Sequence, residues 1–188
     1  HEYGANHFRL LYDERWTPIL HRVMPGLKRE KTPCSYYRLN AHGRKWKPDP
    51  PTGIRIVEID KALLASGYRN LDRVKDETCS ERDSVADFLE KSFGYAALDG
   101  DELVSWCMTE YNTDNRCELG IETIETHQRR GIATQVATAV IGHAVKQGVT
   151  EIGWHSWKRN EPSVRTASRI GFEHDLDYPI CRVELETR

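Results

Sequence analysis

The sequence has few cysteines, and none of them is spaced for a structural bridge or a metal site. The 188 residues include 5 cysteines with no Cys-x-x-Cys pair, and the 8 histidines also lack the spacing of metal ligands. A disulfide framework and a zinc knuckle both need closely patterned ligands. We therefore expect no metal, and reduced thiols that fit a cytoplasmic protein. The cysteines are Cys34, Cys79, Cys107, Cys117 and Cys181.

The chain also lacks a membrane segment and an excess of charge of one sign. No run approaches the roughly 18 apolar residues of a spanning helix. The start, His1-Glu2-Tyr3, does not have the charged-then-apolar order of a signal peptide. The 27 basic and 29 acidic residues give a net charge of -2, so there is no global field for nucleic acid. We expect binding to neither membranes nor nucleic acids, and any anion must bind locally.

Residues 1–52 are irregular, and we treat them as an N-terminal extension or the remnant of an upstream module, because the chain does not begin with Met. The basic stretch from Lys28 to Lys47 carries interleaved aromatic residues that would suit stacking on single-stranded nucleic acid. A strand or a connector that packs these aromatics on the core is the favoured alternative. Pro48-Asp49-Pro50-Pro51 is typical of a linker.

The sequence contains the pattern of one α+β domain over residues 53–188. Apolar alternation predicts a strand at 54–59, two helices, and an antiparallel meander of three strands ending at Thr126. A long apolar helix pattern runs from Gly131 to Gly148, and a strand at 150–156 must then pair in parallel through a helical crossover. A helix at 161–170 and a strand from Cys181 to Leu185 follow. The predicted mixed sheet switches from an antiparallel meander to a parallel pair around a ligand cleft, with helices on both faces.

The most informative segment is Gln128-Arg129-Arg130-Gly131-Ile132-Ala133, between a predicted strand and the long helix. A glycine turn before a helix lets successive main-chain N–H groups point into one concavity, and the helix adds the partial positive charge of its N-terminus. The spacing does not fit the Walker loop or the dinucleotide fingerprint. The segment therefore predicts a site for a diphosphate.

Four ordered features resemble the GNAT superfamily of acyl-CoA-dependent N-acetyltransferases. They are the strand from Glu118 to Glu125, the turn at 128–133, the strand ending in Trp154-His155-Ser156-Trp157, and Asn160-x-x-Ser163 followed by Arg169-Ile170-Gly171-Phe172. The likeness spans residues 53–185. An extension such as residues 1–52 is similar to that of a bacterial branch of the superfamily.

This resemblance implies that the chain binds acetyl-CoA as a co-substrate. Its pantetheine arm would lie between the splayed parallel strands and bond to main-chain groups, as an added strand would. Asn160 would bond this arm and Ser163 would bond the ligand, although both residues are also typical helix caps. The implied diphosphate ligands are the main-chain N–H groups of Arg129, Arg130, Gly131, Ile132, Ala133 and Thr134, and the implied pantetheine ligands on the first strand are Ile124, Glu125 and Thr126.

Strand alternation places Glu118, Gly120, Glu122 and Ile124 on one face, which would set two carboxylates beside the thioester. Glu118 lies at about the position where several superfamily members keep a general base, and Gly120 would leave room for an acceptor. We expect Glu118 and Glu122 to act as the base, directly or through water. Alternatively, the two carboxylates line the solvent face or bind a cationic acceptor.

The proton donor to the leaving sulfur is less well defined. Many relatives place a Tyr four residues before the closing Gly-Phe, where this chain has Ala167. Either Tyr178, Ser163 or solvent takes the role, or the thiolate leaves unassisted, and we select Tyr178. The N–H groups near Ile124 would meet the oxyanion. Cys107, a lone thiol in an apolar strand, is expected to be inert.

The resemblance therefore predicts an N-acetyltransferase that moves acetyl from acetyl-CoA to a primary amine, directly and within a ternary complex. A small-molecule acceptor is preferred by analogy over a protein lysine. The alternative is a catalytically inactive module that binds or senses acyl-CoA, which the missing Tyr supports. The sequence does not decide between a monomer and a homodimer.

Overall fold

The structure is a computed structural model that describes residues 7–11, 14–23 and 29–184. The strands are β1 (His7–Leu11), β2 (Arg29–Asn40), β3 (Ile54–Glu58), β4 (Gly94–Asp99), β5 (Glu102–Thr113), β6 (Arg116–Thr123), β7 (Glu151–Trp157) and β8 (Glu173–Glu184). The helices are α1 (Thr17–Val23), α2 (Lys61–Leu64), α3 (Leu71–Thr78), α4 (Val85–Lys91), α5 (Ile132–Lys146) and α6 (Glu161–Ile170).

The eight strands form one mixed sheet in the order β1-β8-β2-β7-β6-β5-β4-β3. Every neighbouring pair is antiparallel except β6 and β7, which are parallel and joined through α5. The meander β4-β5-β6 and the parallel crossover confirm the predicted α+β fold with a mixed sheet. The tight turn between β4 and β5 contains Gly100, whose φ of 59° suits a residue without a Cβ.

Helices cover both faces of the sheet. Tyr95 and Cys107 pair across β4 and β5, and the Tyr95 hydroxyl bonds to His143 of α5, so α5 covers their face. Trp106 precedes Cys107 and points to the opposite face, where the guanidinium of Arg73 on α3 lies 5.3 Å from its ring centre. We call this second face, which carries Trp106, Glu118 and Glu122, the α3 face.

The long helix α5 packs its apolar side onto β4, β5 and β6. Ile132, Val136 and Val140 are completely or almost completely buried, at 0–1% exposure, as their spacing predicts for one side of a helix. The burial removes apolar surface from water along the whole helix and fixes its N-terminus at the carboxyl end of β6. The turn that precedes α5 is thereby held beside the parallel pair.

Two elements differ from the sequence predictions. Between β3 and β4 there are three helices rather than two, because α3 begins at Leu71 after Asn70, an N-cap residue that has a left-handed φ of 67° and makes no side-chain cap bond. The last strand, β8, starts at Glu173 and not at Cys181, since its acidic residues are matched by β2: Arg38 bonds to Asp175 at 2.5 Å. Leu185 lies outside the described residues.

The predicted boundary at residue 52 does not coincide with an edge of the sheet. β2 lies between β7 and β8 and pairs with both, so residues 29–40 share one sheet with the domain predicted over 53–188. The strand alternative for the basic stretch is therefore the correct one over residues 29–40. Whether residues 1–52 derive from a separate module stays a prediction.

Candidate active site

The parallel strands β6 and β7 separate after a short paired stretch. Their register runs only from Arg116 opposite Glu151 to Glu118 opposite Gly153. Beyond these pairs β6 remains bonded to β5 as far as Thr123, and β7 remains bonded to β2 as far as Trp157. The two strands therefore diverge and leave main-chain groups of both strands facing a wedge-shaped gap, which we call the cleft.

The glycine turn lies at the open end of the cleft. Arg129 and Gly131 have φ values of 60° and 78°, and Gly131 is the N-cap of α5. Within residues 29–184, the main-chain N–H groups of residues 129 to 134 donate no hydrogen bond to protein atoms. Six consecutive donors at the start of a helix form a site for an anion.

Neighbouring side chains fix the shape of this turn. The Gln128 side-chain amide donates to the Thr123 carbonyl at 3.1 Å, and the Asp99 carboxylate lies 3.1 Å from His127 Nε2 and 3.8 Å from the Arg130 guanidinium. Each of these contacts joins the turn to the end of a strand. The turn is therefore held in shape before any ligand binds.

The main-chain groups of β6 that face the cleft differ from the predicted ones. Ile124 cannot supply the expected oxyanion donor, because its N–H donates to the Val104 carbonyl at 3.0 Å. Successive residues of a strand turn their main-chain groups to alternate sides, so Thr123 and Ile121 are the residues directed at the cleft. The predicted ligands Glu125 and Thr126 lie in one turn of 3-10 helix after β6.

Asn160 and Ser163 both have structural partners at the start of α6. The Asn160 side chain accepts a hydrogen bond from the Ser163 N–H at 3.3 Å and caps the helix. The Ser163 hydroxyl accepts a hydrogen bond from the buried Trp154 indole at 2.9 Å. The capping alternative for Asn160 is thus realised, and the coenzyme contacts of both residues stay predictions.

Each of the two predicted carboxylates on the α3 face lies against a basic side chain. Glu118 Oε2 lies 2.7 Å from His155 Nε2 of β7, and its side chain is 25% exposed. Glu122 is paired with Arg73 of α3, and its side chain is 39% exposed. The sequence did not indicate either partner, since both pairs join residues more than 30 positions apart.

A third carboxylate, Glu110, lies between them and was missed in the sequence analysis. Glu110 on β5 is directly opposite Glu118, and a Cβ on residue 120 would overlap its Oε1 atom. The expected space for an acceptor at Gly120 is therefore wrong: the Glu110 carboxyl occupies it. Burial, and next the charges of Glu81, Glu77 and Glu118, raise the pKa of Glu110 to about 7.

Tyr178 is linked to Glu118 through His155. The Tyr178 hydroxyl is hydrogen-bonded to His155 Nδ1. Because a carboxylate only accepts hydrogen bonds, His155 Nε2 carries the proton in its contact with Glu118. The Tyr36 ring lies 4.7 Å from the His155 ring, and burial raises the pKa of both tyrosines. Both hydroxyls are therefore protonated at neutral pH.

Cys107 is completely buried on the α5 face, and burial raises its pKa well above the usual thiol value. A protonated, enclosed thiol is a poor nucleophile, as expected. In the described parts of the chain, no group of three or more His, Cys, Asp or Glu side chains could hold a metal ion. The helices described there are all too short or too polar to cross a membrane.

The sequence model of the GNAT acetyltransferases matches residues 4–181. The chain belongs to the GNAT acetyltransferase family. The matched range includes β2 and most of β8, in agreement with a single sheet that starts before residue 53.

Known GNAT relatives agree with this assignment. The chain is 28% identical over 130 residues to the uncharacterized N-acetyltransferase YdfB of Bacillus subtilis (strain 168), a match that covers 69% of this chain and 48% of YdfB. The GNAT chain thus spans about half the length of this curated relative.

Solved GNAT structures share the fold. A GCN5-related N-acetyltransferase-like protein from Streptococcus suis 89/1591 has a TM-score of 0.68 at 17% identity, covering 94% of this chain and 71% of that one. A GCN5-related N-acetyltransferase from Sphaerobacter thermophilus has a TM-score of 0.62 at 17% identity, covering 96% and 60%. Such low identities support the fold alone.

Proposed function

We propose that this GNAT chain transfers acetyl from acetyl-CoA to the primary amine of a small molecule, directly and within a ternary complex. The observation that carries the proposal is the arrangement of six main-chain donors at residues 129–134 at one end of a cleft whose side carries three carboxylates. The donors suit a diphosphate, and the carboxylates suit an amine. Acyl transfer needs both ligands in one site.

The coenzyme is proposed to lie along the cleft. Its diphosphate would accept hydrogen bonds from the N–H groups of residues 129–134, with the Arg129 and Arg130 side chains adding positive charge. Its pantetheine arm would bond to Ile121 and Thr123 on β6, with Ile124, Glu125 and Thr126 beside it, and to Asn160 and Ser163 across the cleft. The predicted ligand set is thereby kept and extended by two residues.

The acceptor is proposed to bind on the α3 face, where negative charge is concentrated. Glu118 and Glu122 are half-buried and Glu110 is more enclosed, so the charges are recessed rather than spread over an open surface. A recessed negative site favours a small cationic amine over a large protein surface. Glu118 and Glu122 are expected to hold this cation, which is the alternative to a role as base.

The reaction requires no covalent enzyme intermediate. Cys107 is buried and therefore a poor nucleophile for an acyl-enzyme, and no other cysteine was predicted to act as one. Direct transfer is the simpler route. Tyr178, held by His155, is the proposed proton donor to the leaving sulfur in place of the Tyr that Ala167 replaces. The cytoplasmic location is part of the proposal and agrees with the described cysteines, none of which forms a disulfide.

The proposal is tested by mixing the protein with acetyl-CoA and a panel of small amines and following release of free thiol, with binding of coenzyme measured by calorimetry. Amine-dependent thiol release supports the acetyltransferase. Coenzyme binding without release across a broad panel, including lysine peptides, favours the inactive binding module. No binding of coenzyme to folded protein rejects both.

A further inference from the structure

We propose that Glu110, and not Glu118 or Glu122, takes the proton from the acceptor amine. This inference rests on the acetyl transfer proposed above and assigns its base. It is carried by three observations on the α3 face: the partners of the three carboxylates, the position of Glu110 beside the cleft, and the absence of a side chain at Gly120.

The three carboxylates differ in their partners. Glu118 lies against His155 and Glu122 against Arg73. In each pair a nitrogen atom occupies the carboxylate oxygen that would otherwise accept a proton. Within residues 29–184, the Glu110 carboxylate has neither an ion pair nor a hydrogen bond, so it keeps its affinity for a proton.

Glu110 is also the carboxylate that lies over the start of the cleft. Its carboxyl group covers Gly120, two residues past the last parallel pair at Glu118 and Gly153. The next residue, Ile121, turns its main chain toward the cleft. A glycine at position 120 is what allows this approach, because any Cβ would overlap the Glu110 carboxyl.

The groups around Glu110 come from α3 and the segment after it, and from β6 and β7. Glu77 of α3, Glu81 just after α3 and Glu118 of β6 disfavour its ionised form, while His155 of β7 favours it, and burial is the largest effect. Together they raise the pKa of Glu110 to about 7. A base is most effective when its pKa lies near the pH at which it works.

The proposed step balances as follows. The acceptor arrives as an ammonium ion and gives one proton to Glu110, which leaves the nitrogen lone pair free. The nitrogen attacks the thioester carbon, a C–N bond forms, and the C–S bond breaks with its electron pair on sulfur. The second proton lost by nitrogen ends on sulfur through Tyr178, and Glu110 returns its proton to solvent. The products are an amide and free CoA thiol.

The first test is the pH dependence of kcat/KM. The wild-type profile should rise with an apparent pKa near 7. Glu110→Gln should remove this limb and lower kcat by about 100-fold or more. The remaining activity should rise only at the higher pH at which the ammonium group of the acceptor loses its proton to solvent. Glu77→Gln, which removes a neighbouring negative charge, should move the limb to lower pH. An active Glu110→Gln variant that keeps the limb overturns the inference.

The second test keeps Glu110 itself but moves its carboxyl group away from Gly120. Gly120→Ala should lower kcat without weakening binding of acetyl-CoA, because the added Cβ displaces the carboxyl group. Gly67→Ala is the matched control, since a Cβ there meets no atom within 4 Å, and it should behave as wild type. Full activity of folded Gly120→Ala would also overturn the inference. A wild type that binds coenzyme but acetylates no amine contradicts the proposed function itself, which is a separate outcome.

Discussion

At the scale of single residues, Gly131 combines a backbone requirement with a ligand requirement. Its φ of 78° is left-handed, a region that costs a residue with a Cβ about 1 kcal/mol. A Cβ there would meet no protein atom within 4 Å, so packing within the protein does not demand glycine. The open space lies at the proposed diphosphate site.

A pair of glycine substitutions separates these two requirements. Gly43 has a φ of 72° and open space like Gly131, but it lies outside the cleft. Gly131→Ala and Gly43→Ala should each lower the free energy of unfolding by about 1 kcal/mol, whereas only Gly131→Ala should weaken acetyl-CoA binding. Urea denaturation and calorimetry measure the two effects. Equal coenzyme affinity in both variants would contradict the proposed diphosphate site.

Glu110 should make the stability of the protein depend on pH, and not only its activity. Its pKa of about 7 in the folded protein, against the usual 4.5, means that the folded state holds the proton more tightly than the unfolded chain. Its contribution to stability is therefore lost as pH rises from about 4.5 to about 7, by on the order of 3 kcal/mol. Glu110→Gln should lack this loss.

Thermal melting at pH 5 and pH 8 tests this prediction. The Tm of Glu110→Gln relative to wild type should be higher at pH 8 than at pH 5. If Glu110 is kept for function, Glu110→Gln should be more stable than wild type at pH 8 but far less active. Parallel Tm curves would show that Glu110 has an ordinary pKa.

At the scale of elements, the start of α6 connects the helix to the strand that forms one side of the cleft. Asn160 caps the helix, and Ser163 bonds the indole of Trp154, which is 1% exposed on β7. A buried indole N–H that loses its acceptor is costly. This junction therefore sets both the helix position and the cleft edge on which the predicted ligands Asn160 and Ser163 lie.

Substitution of Ser163 measures how much the junction contributes. Ser163→Ala should lower the free energy of unfolding by about 1–3 kcal/mol, because the Trp154 N–H is left without an acceptor. Ser168→Ala on the exposed side of α6 is the control and should be neutral or slightly stabilising. Calorimetry on the same variants shows whether Ser163 also contacts coenzyme. Equal stability of the two variants would mean that water replaces the hydroxyl.

At the scale of the whole molecule, β2 joins β1 and β8 to the rest of the sheet. Among the described strands, β8 has β1 and β2 as its neighbours, and both come from residues before position 53. Without them β8 has no partner, and β7 becomes an open edge beside the cleft. The predicted domain over 53–188 therefore lacks strands that its own sheet needs.

Two truncations test this dependence. A chain of residues 53–188 should fail to unfold cooperatively, whereas residues 29–188, which retain β2, should keep a cooperative transition with lower stability. Circular dichroism during urea denaturation measures both. A cooperative, coenzyme-binding 53–188 fragment would instead support the predicted boundary at residue 52.

The features predicted from the sequence are those encoded by neighbouring residues. The Gly131 turn, the α5 pattern, the Asn160 cap and the parallel crossover all follow from spacing, backbone preference and chain direction. β2 and α3 were harder to predict from the sequence. β2 carries a basic aromatic pattern without a clear period, and α3 follows Asn70, whose left-handed backbone provides no cap signal.

The sequence by itself determined the α+β fold, the place of the glycine turn before α5 and the face that carries Glu118 and Glu122. Only the tertiary structure decided that His155 and Arg73 pair with those two carboxylates, and that Glu110 fills the space above Gly120. The physical reason is that alternation along one strand fixes which way a side chain points, while its partners come from neighbouring strands and helices. Those neighbours raise the pKa of Glu110, and its proposed role as the base depends on them.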